Sequence, residues 1–518
     1  MLCQMMIRYS ILLLAIALTL GSCSKEQLQP DTADVAESTP LTHSEVLSVI
    51  LDRMEDGKVF DWQALNDHEL YSAGLAGDSL FTYGYWLGDH SDAAAKIGVV
   101  DTDTRAWREH FNGILQEVLT LERASRGPEL TRAEILVFGE PEFIPQATML
   151  LSNPASISYL RERTDTRYLE PMGFDPEQSG LAQRSSSGCS GGGPNYSIPA
   201  ADYNVVSPNV KAPWNYDLHN IRQAWSHSQG DNVRIEIIDT GSSDSQENLG
   251  SQFASGQSTG RSVSRLSTHY TGSWWWRRLD SPHDQCGHGT RMSGLATAPK
   301  GSDGNAVGVA WKADLTTVRA VADVVITSSN ESRGVRDALV IAGNSTSTKI
   351  VSMSIGTPFT NGTVRDGIYY AYNRGKMIFA AAGTSFSWTS WYGVIFPANM
   401  SQTVAVTGVK EGAPMVRCNN CHDGSQVDFV IHMQRRNNND RTTLSLPLSG
   451  NQPTYSAGSS CATATTAGIA ALVWSKYPNW SRSQVYDRLK QSSSYYPSRN
   501  GNFGWGAIDA LQAVTVPL

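Results

Sequence analysis

From Val233 onward, short apolar runs alternate with helix-like stretches. Val233-Arg-Ile-Glu-Ile-Ile238, Thr316 to Ala320, Ile350 to Ile355, Met377 to Ala381 and Thr403 to Val409 each read as a strand. Runs of this length, rich in β-branched residues, form buried strands. Helices between them favour parallel pairing, because a parallel connection must cross back over the sheet. The expected fold class is therefore α/β, with a central parallel sheet and helices on both faces. Nothing repeats at the period of a solenoid or propeller.

The chain has 518 residues, too many for one ordinary domain. Ser185-Ser-Ser-Gly-Cys-Ser-Gly-Gly-Gly-Pro194 cannot bury a core and marks a linker. Upstream, Glu45 to Met54 and Trp107 to Arg123 carry apolar residues at helical spacing, and Glu134-Ile-Leu-Val-Phe138 reads as a strand. The expected organisation is a smaller α+β segment at 41–175, a linker at 176–200 and the α/β domain at 201–518. The formal net charge of −8 gives no electrostatic reason to expect nucleic acid.

Arg8, the apolar run Tyr9 to Leu20 and the small residues after it read as a secretory signal at 1–22, too short for a membrane span. Leu20-Gly-Ser-Cys23 resembles the bacterial lipobox, which implies that Cys23 carries lipid and holds the protein to a bacterial membrane, in the periplasm or at the cell surface. The polar stretch up to residue 40 then reads as a tether. An exported chain can hold disulfides. With Cys3 and Cys23 set aside, five of the seven cysteines remain, so at least one stays free, and Cys461 is the candidate. Cys189, Cys286, Cys418 and Cys421 leave three pairings open.

Three motifs stand in the α/β region. Ile237-Ile-Asp-Thr-Gly241 puts Asp239 at the end of a buried strand. Asp284-Gln-Cys-Gly-His-Gly-Thr290 puts His288 at the start of a helix-like run, and Gly458-Ser-Ser-Cys-Ala-Thr463 does the same for Ser460. Strand ends and helix N-termini are where α/β folds place functional groups. A serine hydroxyl needs a base to become a nucleophile, imidazole can take and return that proton, and a buried carboxylate fixes the imidazole tautomer.

In order, spacing and flanks, the chain from about Pro213 resembles the subtilisin-like serine protease family. Asp239-Thr-Gly, His288-Gly-Thr and Gly458-Ser-Ser460-Cys-Ala stand where that family carries Asp-Thr-Gly, His-Gly-Thr and Gly-Thr-Ser-x-Ala. Gly308-Val-Ala310, Val351-Ser-Met-Ser-Ile-Gly356, Phe396-Pro-Ala398, Tyr477-Pro-Asn-Trp480 and Gly504 to Ala510 match further landmarks. The resemblance implies a three-layer subtilisin-like domain and an endopeptidase acting on proteins or peptides through Asp239, His288 and Ser460. Ser354, Ile355 and Gly356 would line the substrate cleft. Ile395 would shorten the primary pocket and favour small side chains before the scissile bond. The segment at 41–175 would be an inhibitory propeptide or a permanent accessory domain. No cofactor is required, and calcium is a frequent structural ion in the family, although the sequence offers no ligand set for it.

The main departure is Ala381-Ala-Gly-Thr384, where the family has asparagine in the place of Thr384. Asparagine donates to the oxyanion there, and losing that donor in a subtilisin costs about 10²–10³ in turnover. Thr384 offers a shorter hydroxyl beside the Ser460 backbone N–H. Two alternatives to hydrolysis follow: a weak or inactive peptide-binding domain, and an acyl-transfer variant giving ligation or cyclisation. Ala464-Thr465 and Gln246 to Leu249 also depart from the family pattern, as structural variants. Cys418-Asn-Asn-Cys421-His422 matches a c-type haem attachment pattern, with a disulfide as the preferred reading. His283, Asp284, Cys286 and His288 have the composition of a zinc cluster, but the triad role explains His288 better, so no metal site is assigned. Trp274-Trp-Trp-Arg-Arg278 reads as packing of an insert before substrate contact.

Overall fold

The computed structural model describes residues 39–55, 58–177, 188–189, 192–273, 275–384 and 393–515. The signal segment, Cys23, the tether to Ser38, most of the linker and Trp274 lie outside the described residues. By backbone contacts the chain divides into Met1–Thr39 and Pro40–Leu518, and every element named below belongs to the latter.

The first part contains α1 (His43–Arg53), α2 (Asp67–Ala76), β1 (Leu80–Tyr85), α3 (Arg105–Arg126), β2 (Gln146–Leu150), α4 (Pro154–Glu162) and β3 (Thr166–Pro171). Thr42 with Glu45, and Asn66 with Glu69, close capping boxes that start α1 and α2. The strands form an antiparallel sheet in the order β2-β1-β3. A stripe on α3, including Trp107, Phe111, Ile114 and Val118, is buried. Glu134 to Phe138 is not a strand. Thr131 and Glu134 make a capping box that turns Arg132–Ile135 into a short helix, and only Leu136 pairs in an isolated bridge, with Met149.

The second part carries a nine-stranded sheet. Its main elements are β4 (Arg234–Asp239), β5 (Val263–Ser267), α5 (His288–Thr297), β6 (Asp314–Arg319), α6 (Ser329–Asn344), β7 (Thr348–Met353), α7 (Gly362–Asn373), β8 (Met377–Ala381), β9 (Thr403–Lys410), β10 (Phe429–Arg435), β11 (Asn438–Ser445), β12 (Thr454–Ser456) and α8 (Ser459–Lys476). The strand order is β12-β11-β10-β9-β8-β7-β4-β6-β5. Strands β5 to β10, with β4 among them, pair in parallel, while β11 and β12 add an antiparallel edge. Ile235 and Ile237 of β4 join the core with α5 and α8, and Ile238 joins the one with α6 and α7. The alternation of a strand thus feeds two helix layers, which is the α/β architecture expected. Helix α8 is buried on every side from Cys461 to Trp474, so it lies within the core.

The chain enters the sheet at β4, runs out to the β5 edge, returns through β6 and then crosses to β7. The order therefore reverses at β4, and a crevice opens beyond its carboxyl end, where Asp239 stands. On the other helix layer, the first sheet packs against α7. Arg167 grips Asp366 through both nitrogens, at 2.8 and 2.5 Å, and Tyr168 adds a bond of 2.6 Å. Burial alone would raise the Asp366 carboxyl, but Arg167 holds it below the usual range. Gly362 N donates to Glu170 at 2.5 Å, placing a carboxylate on the N-terminus of α7.

Candidate active site

The wall beyond β4 is built around Asp284. This buried carboxylate accepts from Cys286 N (3.0 Å), Gly287 N (2.7 Å), Thr290 N (2.8 Å), Thr290 Oγ1 (2.6 Å) and Thr240 Oγ1 (2.9 Å). Those bonds fold the turn that launches α5 and satisfy N–H groups that a helix start leaves open. His288 is the first residue of α5, and its Nδ1 lies 2.8 Å from Asp239 Oδ1. Thr240 N donates to the same oxygen at 2.8 Å, and Gly289 N donates to Thr240 Oγ1 at 2.9 Å. A Cβ at Gly289 would lie 2.2 Å from Gly241 O, so only glycine lets the helix come this close to the strand. Asp239 is fully buried, and with Nδ1 engaged the imidazole keeps Nε2 for the cleft.

Ser460 sits in the first turn of α8, where N–H groups have no intrahelical partner. Ser354 Oγ donates to Ser460 O at 3.0 Å, and Ser460 Oγ is 3.4 Å from Ser354 O. Ser459 Oγ donates to Gly383 O at 2.9 Å. The helix start is thereby stitched to the ends of β7 and β8. A cleft of about 250 Å³ is lined by His288, Ser460, Ser354, Ile355, Gly356, Gly383, Thr384 and Ile395. All the candidate catalytic and cleft residues therefore meet at one place, with Asp239 behind His288.

The side chain of Ile395 fills the floor: a Cβ on Gly356 would lie 2.7 Å from its Cδ1, and one on Gly383 would lie 3.0 Å from its Cγ1. Thr384 forms a backbone bridge with Cys421, so the loop carrying Cys418 and Cys421 backs this wall. Those two cysteines pair with each other, and His422 Nδ1 engages Gly393 O at 2.8 Å. The thiols that a haem would need are thus spent. Cys189 pairs with Cys286, which selects one of the three open pairings and takes Cys286 out of the zinc composition. Among the described residues, no three His, Cys, Asp or Glu side chains converge on a metal position. Cys461 is free and buried, its Sγ 3.1 Å from Ala457 O, and burial pushes its thiol up to about 11, which leaves it unreactive.

Several residues of the cleft wall escaped sequence reasoning, and three of them bear on its chemistry. Arg291 lines it, one turn after His288 on α5. Its signal was a lone cation in a helix of small and apolar residues. Tyr455 lines it from β12, donating to the buried Asp202 that Arg435 and Arg441 also hold. Gly188 of the linker lines it as well, and nothing local in the sequence announced that.

The subtilase family model matches residues 230–506. The chain belongs to the subtilase family. It is 29% identical over 311 residues to a thermostable alkaline protease of Halalkalibacterium halodurans, covering 57% of this chain and 76% of that one. Against a thermophilic serine proteinase of Bacillus sp. strain AK1 it is 27% identical over 234 residues, covering 45% of this chain and 53% of the relative's length. Fervidolysin from Fervidobacterium pennivorans, a keratinolytic enzyme related to subtilisin, shares the fold with a TM-score of 0.58 at 16% identity, over 85% of this chain and 61% of that structure. The subtilase match and these relatives support a serine peptidase.

Proposed function

We propose that the protein is a serine endopeptidase that cleaves peptide bonds through an acyl-enzyme on Ser460. His288 Nε2 takes the Ser460 proton as Oγ attacks the scissile carbonyl, then returns it to the leaving amine. Water repeats the cycle on the ester. Asp239 holds the tautomer and stabilises the imidazolium. The Ser460 N–H and the Thr384 hydroxyl face the oxyanion, aided by the N-terminus of α8. The observation that carries this reading is the 2.8 Å Asp239–His288 bond in the wall of a cleft that Ser460 also lines.

The buried Ile395 floor supports a preference for small residues before the scissile bond; cleavage-site profiling that returned large aromatic or basic residues there would overturn it. The segment at 41–175 acts as an intramolecular inhibitor, supported by the Arg167–Asp366 pair and the Glu170 cap on α7. Cys23 anchors the exported chain by lipid until processing in the linker releases the catalytic part. An active preparation whose intact mass still begins at Cys23 would sink that processing. The central test is reaction with a fluorophosphonate, beside a Ser460→Ala control. Labelling lost in the control supports the peptidase. No labelling, even on the chain after the linker, leaves a peptide-binding domain instead.

A further inference from the structure

Gly188 and Cys189 of the linker stand at the cleft. Gly188 lies in its wall, and Gly188 O accepts from Arg291 Nη2 at 2.9 Å. A Cβ on Gly188 would lie 2.9 Å from Val324 Cγ1 and 3.4 Å from His288 Cδ2. Cδ2 is bonded to Nε2, the nitrogen that would serve Ser460, so Gly188 faces that edge of the imidazole across about the width of one methyl group. The next residue, Cys189, is bonded to Cys286, two residues before His288 and 97 positions along the chain. Farther on, Asn195 N donates to Pro453 O at 3.0 Å, beside Tyr455 of the cleft wall. A substrate chain that packed on His288 from this side would need the space Gly188 holds.

We propose that Cys189–Cys286 is a reducible latch: closed, it keeps Gly188 beside His288, and a dithiol reductant opens the cleft by releasing it. The proposal rests on the reading of this cleft as the peptidase site. Cys189 is half-buried while Cys286 is buried, so an incoming thiolate attacks Cys189 Sγ. The Sγ–Sγ bond breaks, and Cys286 leaves as a thiolate and takes up a proton. The reductant's second thiol then resolves the mixed disulfide and frees Cys189 as a thiol. Two electrons and two protons pass to the latch, and the dithiol leaves as a disulfide. Among the described residues, the part-buried Arg291 bond and the packing on Val324 then hold Gly188, and local opening breaks contacts of that kind once the covalent tie is gone.

The test uses the full chain, its Cys189→Ser/Cys286→Ser variant and a fluorophosphonate. Without reductant, the variant labels about tenfold faster than the wild type, as expected if the closed latch leaves the cleft open about a tenth of the time. Dithiothreitol brings the wild type up to the variant's rate and leaves the variant unchanged. Equal rates before reduction overturn the latch. The Ser460→Ala chain supplies a readout without chemistry: amide hydrogen exchange at Gly188 and Cys189 accelerates when dithiothreitol is added. Unchanged exchange overturns the latch as well. Accelerated exchange with no labelling in any chain supports the latch and counts against the reactive Ser460 alone.

Discussion

The two walls of the cleft are held in different ways. Around His288 the holding groups are side chains: Asp284 accepts five hydrogen bonds, and Asp239 and Thr240 lock the imidazole and the start of α5. Around Thr384 they are largely backbone: His422 N donates to Gly383 O at 3.1 Å, Ile395 N to Ala382 O at 3.0 Å, and Thr384 bridges Cys421. A wall held by side chains fixes its sequence, because each group has one partner at one distance. A wall held by backbone keeps its shape while a side chain changes. The departure from the subtilisin pattern at Thr384, beside intact motifs at Asp239 and His288, is what that difference predicts.

Asp239→Asn breaks the comparison most severely if the side-chain wall is the catalytic one. The amide offers its N–H to the wrong imidazole tautomer, and kcat falls by about 10⁴ with the fold intact. Single-turnover kinetics on a peptide ester measure this, and a loss below about tenfold would remove the triad role. Next in size is Asp284→Ala, which leaves three backbone N–H groups and two hydroxyls without their acceptor. The expected cost is about 3–5 kcal/mol of stability, read as a fall in the denaturation midpoint. A midpoint close to the wild type's would mean that the turn before His288 holds without Asp284.

The other wall gives smaller effects. Thr384→Val keeps the shape and removes only the hydroxyl. It lowers kcat by about 10² with KM little changed if that hydroxyl serves the oxyanion. Thr384→Asn, with the longer donor, raises kcat above the wild type. If both variants leave kcat where it was, the Ser460 N–H carries the oxyanion alone.

The same contrast governs what could be read from the sequence. The motifs around Asp239, His288 and Ser460 were legible because their spacing encodes side-chain partners. Strands β4, β7, β8 and β9 were legible because both faces are buried and their runs are largely apolar, and β6 because Thr316, Thr317 and Val318 are β-branched. Strand β11 was not: Asn438-Asn-Asp-Arg-Thr-Thr-Leu-Ser445 is polar at its exposed end and gains strand character only by pairing with β10 and β12. Glu134 to Phe138 misled for the opposite reason, as an apolar run overruled by a capping box. Gly188 and Arg291 escaped because their meeting depends on a disulfide and a hydrogen bond spanning about a hundred residues, which no local pattern records.

Strand β4 carries the comparison within six residues. At one end Asp239 has His288 as a partner. In the middle Glu236 is buried, and among the described residues its hydrogen-bond partner is Thr348 Oγ1, 3.4 Å from Oε2. Burial pushes the Glu236 carboxyl up from 4.5 to about 8, against the opposing pull of Thr348, Lys376 and Arg234. A carboxyl raised on folding binds its proton more tightly in the folded chain. Its contribution is therefore fully present below about 4.5, declines as pH rises, and is lost above about 8. Glu236→Gln keeps the volume and cannot ionise, so it removes this decline. Between pH 5 and 9 the midpoint of thermal unfolding should fall more steeply for the wild type than for Glu236→Gln. Parallel profiles would mean that Glu236 is charged in the folded chain and that Lys376 compensates it through the interior.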